Sequence, residues 1–84
     1  MTQTINQEIT INAIYFAGRD MKTFPREIEY AGRAVTFAGG LRYLVARGQE
    51  ALQLFDMSSD DGLTYRISRR GDHWTLLGTK GAIL

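Results

Sequence analysis

The sequence predicts an all-β fold, a six- or seven-stranded antiparallel meander curled into a small open barrel or roll. Turn-forming residues, many of them glycine, recur at short intervals along the 84 residues, and apolar-rich segments lie between them. Most of these segments alternate apolar and polar side chains, as half-buried strands do, and Leu63, Tyr65 and Ile67 show the cleanest alternation. We expect one domain over residues 1–84, in which residues 1–7 form a frayed tail.

Each predicted strand has one apolar face that we assign to the core. The first strand alternates over residues 9–15, and the second begins at Pro25, because a residue without an N–H group fits the start or edge of a strand. The remaining strands follow at similar spacing, and the fourth and fifth occupy residues 41–55. The predicted core is the following set, in chain order: Ile9, Ile11, Ile28, Val35, Phe37, Tyr43, Val45, Leu52, Leu54, Tyr65, Ile67, Trp74 and Leu76.

The positions of the turns support this alternation, because residues that face each other across a hairpin must lie on the same face of the sheet. Four predicted turns satisfy this rule. Ala31-Gly32 sets Ile28 opposite Val35, and a loop over residues 38–40 sets Phe37 opposite Leu41. Gly48-Gln49 sets Val45 opposite Leu52, and Arg70-Gly71 sets Ile67 opposite Trp74. A further loop is expected over residues 58–62, which are rich in serine, aspartate and glycine.

One segment has an alternative. Residues 41–55 also match an amphipathic helix, with Leu41, Leu44, Val45, Leu52 and Phe55 on one stripe. That pattern would make the fold α+β, with one helix across a sheet. The glycine in the middle of the segment and the agreement of the hairpin register favour two strands.

Composition excludes several classes of protein. The chain has 44% hydrophobic and 23% charged residues, which is typical of a globular domain, and it contains no cysteine to form disulfides or thiolate metal sites. Eight of the ten basic residues are arginine, but nine acidic residues are interspersed with them, and the net charge is only +1. Neither a signal peptide nor a membrane-spanning segment is recognisable, so we expect a cytoplasmic protein that does not contact membranes.

No motif in the sequence indicates catalysis, a cofactor or a metal ion. His73 is the only histidine, and no nucleophile is spaced to use it as a base. Residues 56–62 resemble the start of an EF-hand loop, but the glycine falls one place late and Ile67 stands where the bidentate glutamate belongs. Arg70-Gly71-Asp72 spells an adhesion tripeptide that a hairpin turn explains equally well. We therefore expect a non-catalytic protein without a cofactor.

The second face of the fourth and fifth strands is the most informative feature for function. In the predicted register this face carries Arg42 and Leu44 beside Phe55, with Arg66 on the next strand close by and Leu77 exposed further along. A patch of aromatic, aliphatic and arginine side chains is typical of protein interfaces. The sequence thus predicts a binding module for a protein partner or for a second copy of the chain. The equally weighted alternative is that the sheet curls until both faces of these strands are covered, as in a small barrel.

The same face has a second interpretation. Arg42, Arg66 and Arg70 would contact phosphates while Phe55 stacks on a base, as in a nucleic-acid-binding β-barrel. The acidic residues among these arginines weaken the electrostatic attraction that such binding requires. Nucleic-acid binding is therefore the alternative hypothesis.

Overall fold

A computed structural model describes residues 2–81, except for the side chains of Thr2 and Arg47. Seven strands make up this part of the chain: β1 (Thr2–Glu8), β2 (Thr10–Ala17), β3 (Lys22–Tyr30), β4 (Arg33–Arg47), β5 (Glu50–Ser59), β6 (Leu63–Arg70) and β7 (His73–Gly81). The all-β prediction is confirmed, and residues 41–55 belong to β4 and β5 rather than to a helix. Over residues 2–81 there is no helix of the length and hydrophobicity needed to cross a membrane.

All seven strands belong to one antiparallel sheet in the order β1-β7-β6-β5-β4-β3-β2. β1 and β2 lie at opposite ends of this order although only Ile9 separates them in the chain. The Ile9 amide donates a hydrogen bond to the carbonyl of Trp74 in β7, and the next residue, Thr10, pairs with Glu29 in β3. The sheet must therefore curl until its two ends meet at Ile9, which produces the predicted open roll.

The N-terminal residues depart from the prediction of a frayed tail. Thr2–Glu8 form β1, which pairs with β7 from Thr2 opposite Lys80 to Glu8 opposite Thr75. The prediction is therefore wrong for residues 2–7, while Met1 lies outside the described residues. Pairing with β7 satisfies the backbone groups along one side of this polar segment, and its sequence has too little alternation to reveal the strand.

Two of the four predicted turns have the predicted register. Ile28 lies opposite Val35 across Ala31-Gly32, and Val45 lies opposite Leu52 across Gly48-Gln49. The last turn is displaced by one residue, because Gly71, with φ of 59°, takes the first central position of a Gly71-Asp72 turn. Arg70 then lies opposite His73.

The prediction of a loop over residues 38–40 is wrong. β4 runs without a break from Arg33 to Arg47, pairing first with β3 and then with β5. At this point the β4–β5 ladder contains a bulge, since Phe37 pairs with Ser59 and Gly39 with Ser58. The extra residue, Ala38, reverses the side-chain alternation of β4.

The core lies inside the curl of the sheet. It consists of Ile9, Ile28, Val35, Phe37, Phe55, Met57, Tyr65, Ile67 and Leu76, with Ile11 and Trp74 among the half-buried side chains packed against it. Most of the predicted core is thereby confirmed. Four predicted members are wrong, namely Tyr43, Val45, Leu52 and Leu54, and all four lie on the β4–β5 hairpin beyond the bulge.

Candidate protein-binding surface

The bulge at Ala38 exchanges the two faces of the β4–β5 hairpin relative to the prediction. Beyond the bulge, Arg42 shares a face with Phe55, as predicted from the hairpin register, but this face turns toward the core. The side chain of Phe55 is completely buried. Phe55 is therefore not part of an exposed binding face, and this part of the predicted site is wrong.

Phe55 lies at the centre of an aromatic cluster that joins β7 and β3, the strands next to the two ends of the sheet. Its ring centroid is 5.3 Å from that of Trp74 in β7 and 6.1 Å from that of Phe24 in β3. The guanidinium of Arg42 lies 5.8 Å from the Phe55 centroid and donates a hydrogen bond of 3.4 Å to the carbonyl of Thr23. The Arg42 side chain thus packs over the aromatic cluster, and its guanidinium makes its contacts within the protein.

Arg66 lies on the opposite face from Arg42, because it pairs across β5 and β6 with Asp56 rather than with Phe55. Its guanidinium makes a bidentate ion pair with Asp56, at 2.7 Å and 2.8 Å. The hydrogen bond from Arg66 lowers the pKa of Asp56 despite the opposing effect of burial, and the same hydrogen bond raises the pKa of Arg66. The predicted grouping of Arg42 with Arg66 is therefore wrong.

The outer face of the sheet instead gathers Arg66 with several apolar residues. Five apolar side chains of the β4–β5 hairpin point outward and form what we call the outer hairpin face: Leu41, Tyr43, Val45, Leu52 and Leu54. Tyr43 pairs with Leu54 and Val45 with Leu52, so the side chains are contiguous. Leu41 is 60% exposed and Tyr43 41%, while Val45, Leu52 and Leu54 are half-buried.

A groove of about 790 Å³ adjoins this face and crosses the outer side of the sheet. Leu41, Asp56, Arg66 and Leu77 are among the residues that line it. Leu77 is half-buried at a bulge between β6 and β7, where Arg66 pairs with Gly78 and the next residue pairs with Leu76. The structure thus places Arg66 and Leu77 at one groove, next to the outer hairpin face.

Leu44 is the most exposed of the large apolar residues of β4, at 70%. It shares its face with Arg42 by alternation, so it points away from the outer hairpin face, and it lies toward the turn, past the part that the core covers. The structure therefore does not bring the five predicted site residues together. Phe55 is buried, Arg42 covers the aromatic cluster, and Leu44 is exposed on the same face toward the turn. Only Arg66 and Leu77 lie together, at the outer groove.

The sequence interpretation missed the outer hairpin face because it assigned most of these residues to the core. Only the position of the bulge distinguishes the two faces, and a bulge adds one residue without a characteristic motif. The sequence feature that could have indicated the bulge is the pair Gly39-Gly40. An ideal Cβ on Gly40 would overlap the backbone of Asp56 and lie 2.8 Å from the Cα of Met57, so only glycine fits where β5 approaches.

The acidic run at residues 56–62 has a structural role. The carboxylate of Asp61 accepts hydrogen bonds from the Ser59 hydroxyl, from the Leu63 amide at 2.9 Å and from the Tyr65 hydroxyl at 2.8 Å. Burial acts to raise the pKa of Asp61, but these hydrogen bonds outweigh it and hold that pKa below its ordinary value. Asp61 therefore closes the β5–β6 turn, and residues 2–81 contain no group of three or more metal-ligating side chains.

His73 lies at the surface beside an acidic residue. Its side chain is 76% exposed, and its Nδ1 atom is 3.6 Å from the carboxylate of Glu8. This exposure agrees with the surface position expected for a strand residue next to a turn.

The structure weakens the nucleic-acid hypothesis at three of its four residues. Phe55 is buried and cannot stack on a base, while Arg66 and Arg70 are paired with Asp56 and Glu50, the latter at 3.2 Å. A phosphate would have to replace these carboxylates. Comparison of the chain with protein-family models, curated proteins and solved structures finds no match.

Proposed function

We propose that this protein is a non-catalytic binding module that holds a protein partner on its outer hairpin face. The observation that carries the proposal is the contiguous apolar surface formed by the five residues of that face, outside the core. None of these five residues belongs to the core or to the partly buried apolar side chains packed against it. A contiguous exposed apolar patch is characteristic of an interaction site.

The neighbouring groove supplies the polar rim that such interfaces have. Arg66 is half-exposed at this rim, and its ion pair with Asp56 holds the guanidinium in one orientation. Arginine beside aromatic and aliphatic side chains is enriched in interfaces. Leu77 extends the apolar surface into the groove. We therefore expect Leu41 and Tyr43 to be central to the contact, with Arg66 and Leu77 at its border.

Leu41→Lys tests this proposal, and Leu44→Lys is its matched control. Both substitutions place the same charge on the same strand, but Leu41 lies on the proposed surface and Leu44 on the opposite face. Partners retained from an extract of the producing cells would be identified, purified and titrated by calorimetry. We expect Leu41→Lys to weaken the dissociation constant by about tenfold or more, and Leu44→Lys to leave it nearly unchanged.

Equal effects of the two substitutions would contradict the proposed surface, as would the absence of any identified partner whose binding depends on Leu41. Thermal unfolding of both variants would establish that they remain folded. Titration with a fluorescent single-stranded oligonucleotide at low and moderate salt provides the nucleic-acid comparison. Tight binding that weakens steeply with salt would favour the nucleic-acid hypothesis over the proposal.

A further inference from the structure

A second surface, the open edge of β2, has the features of a strand-pairing site. β2 is at the end of the sheet order, so it pairs with β3 on one side and with no other strand of residues 2–81 along its other side. Its sequence, TINAIYFA, contains no charged residue and no proline. Natural edge strands usually carry charges, prolines or bulges that prevent pairing with another chain.

The exposed side chains of β2 are large and apolar. Ile14 is 48% exposed and Phe16 is 56% exposed, and Met21 in the following turn is 63% exposed. The pairing of β2 with β3 shifts register between Ile11 and Ala13 and between Ala13 and Ile14. From Ile14 to Ala17 it is regular, so this half of the strand presents an even edge. The surface is distinct from the outer hairpin face, which lies on β4 and β5.

The other edge of the sheet differs in the polarity of its side chains and in the position of its irregularity. β1 carries the sequence TQTINQE, which is mostly polar and ends in a glutamate. Asn6 has a φ of 54°, and the pairing of β1 is interrupted between Thr4 and Gln7. A polar and irregular edge is a poor template for another strand. Of the two edges, the regular half of β2, from Ile14 to Ala17, is the better suited to pairing.

We propose that β2 pairs antiparallel with β2 of a second copy of this chain, around a two-fold axis. Residues that face each other must lie on the same face of the combined sheet. The register that sets Ile14 opposite Phe16 of the second copy satisfies this condition and places Tyr15 on the axis. In this register, each of the two symmetry-related Ile14–Phe16 pairs brings two apolar side chains together. Shifting the register by two residues toward the start of β2 would instead set Phe16 opposite Asn12.

The second copy is the occupant that this self-complementarity favours. A strand without charges meets no like-charge repulsion when it pairs with itself, and the two-fold axis closes the assembly at two chains. Each copy covers the open edge of the other, and Ile14 and Phe16 lose part of their exposure to water. The inference is independent of the proposed partner site, because that site remains exposed in the dimer.

Molar mass in solution tests the inference directly. Light scattering over a hundredfold range of concentration should show the mass of the wild-type protein rising to twice the 9.5 kDa of one chain. Phe16→Lys should weaken the dimer dissociation constant by about tenfold or more. Ala34→Lys is the charge-matched control, since Ala34 is exposed on β4 and pairs internally with Glu29. It should leave the dimer intact.

Engineered cysteines test the register, because the chain has no cysteine of its own. An oxidised mixture of Ile14→Cys and Phe16→Cys chains should yield mainly the mixed disulfide, since these positions face each other. A mixture of Ile14→Cys and Ala34→Cys chains should not yield it. A constant monomer mass, a mass that rises beyond two chains, or cross-linking without positional preference would overturn the inference. Leu41→Lys should leave the dimer unaffected, which separates this test from that of the proposed function.

Discussion

Replacing Phe55 by alanine tests the assignment of faces on which the proposed surface depends. The Phe55 side chain is fully buried and contacts the rings of Phe24 and Trp74, with Arg42 above it. Loss of a buried phenylalanine and the resulting cavity cost about 3–5 kcal/mol. Because about 1 kcal/mol corresponds to a shift of about 4–8 °C in a domain of this size, the Tm should fall by more than about 12 °C.

The matched control is Leu44→Ala, on the same hairpin and the same face by alternation. Leu44 is 70% exposed, so its truncation should change the free energy of unfolding by no more than about 0.5 kcal/mol. Both variants would be measured by urea unfolding followed by circular dichroism. If Phe55→Ala does not fold, Phe55→Leu should still fold, with a loss of about 1 kcal/mol. Equal stabilities of Phe55→Ala and Leu44→Ala would refute the face assignment.

Two further predictions concern the close approach of β4 to β5 and the β5–β6 turn. Gly40→Ala should destabilise the protein by about 1–3 kcal/mol in urea unfolding, because the added Cβ would overlap the backbone at Met57. Gly39→Ala is the control and should have little effect, since there is open space around Gly39. Burial, with the hydrogen bond to Asp61, raises the pKa of Tyr65 from 10.0 to about 12, so the neutral phenol stabilises the fold below pH 10 and this contribution is lost as the pH rises toward 12. Thermal unfolding of Tyr65→Phe should lack that loss, and identical pH profiles for the two proteins would contradict the raised pKa of Tyr65.

The local signals in the sequence determined the fold class and part of the register. Glycine at the first central position of Gly48-Gln49 and the pair Ala31-Gly32 specify tight hairpins, and alternation over residues 63–68 specifies the core face of β6. These features depend only on neighbouring residues, because a turn type and a side-chain period are local properties of the backbone. These three features are confirmed, whereas the turn predicted at Arg70-Gly71 lies one residue later in the chain.

Only the tertiary structure decided which face of the β4–β5 hairpin is buried. A single extra residue, Ala38, reverses the alternation, so that Phe55 enters the core while Tyr43 and Leu54 move to the outside. Likewise, the pairing of β1 with β7 joins residues from the two ends of the described chain, and no local pattern specifies it. Bulges and pairings between distant segments are selected by the packing of the whole sheet. The composition of the hairpin therefore predicted an apolar surface, while the curl of the sheet determined which residues form it.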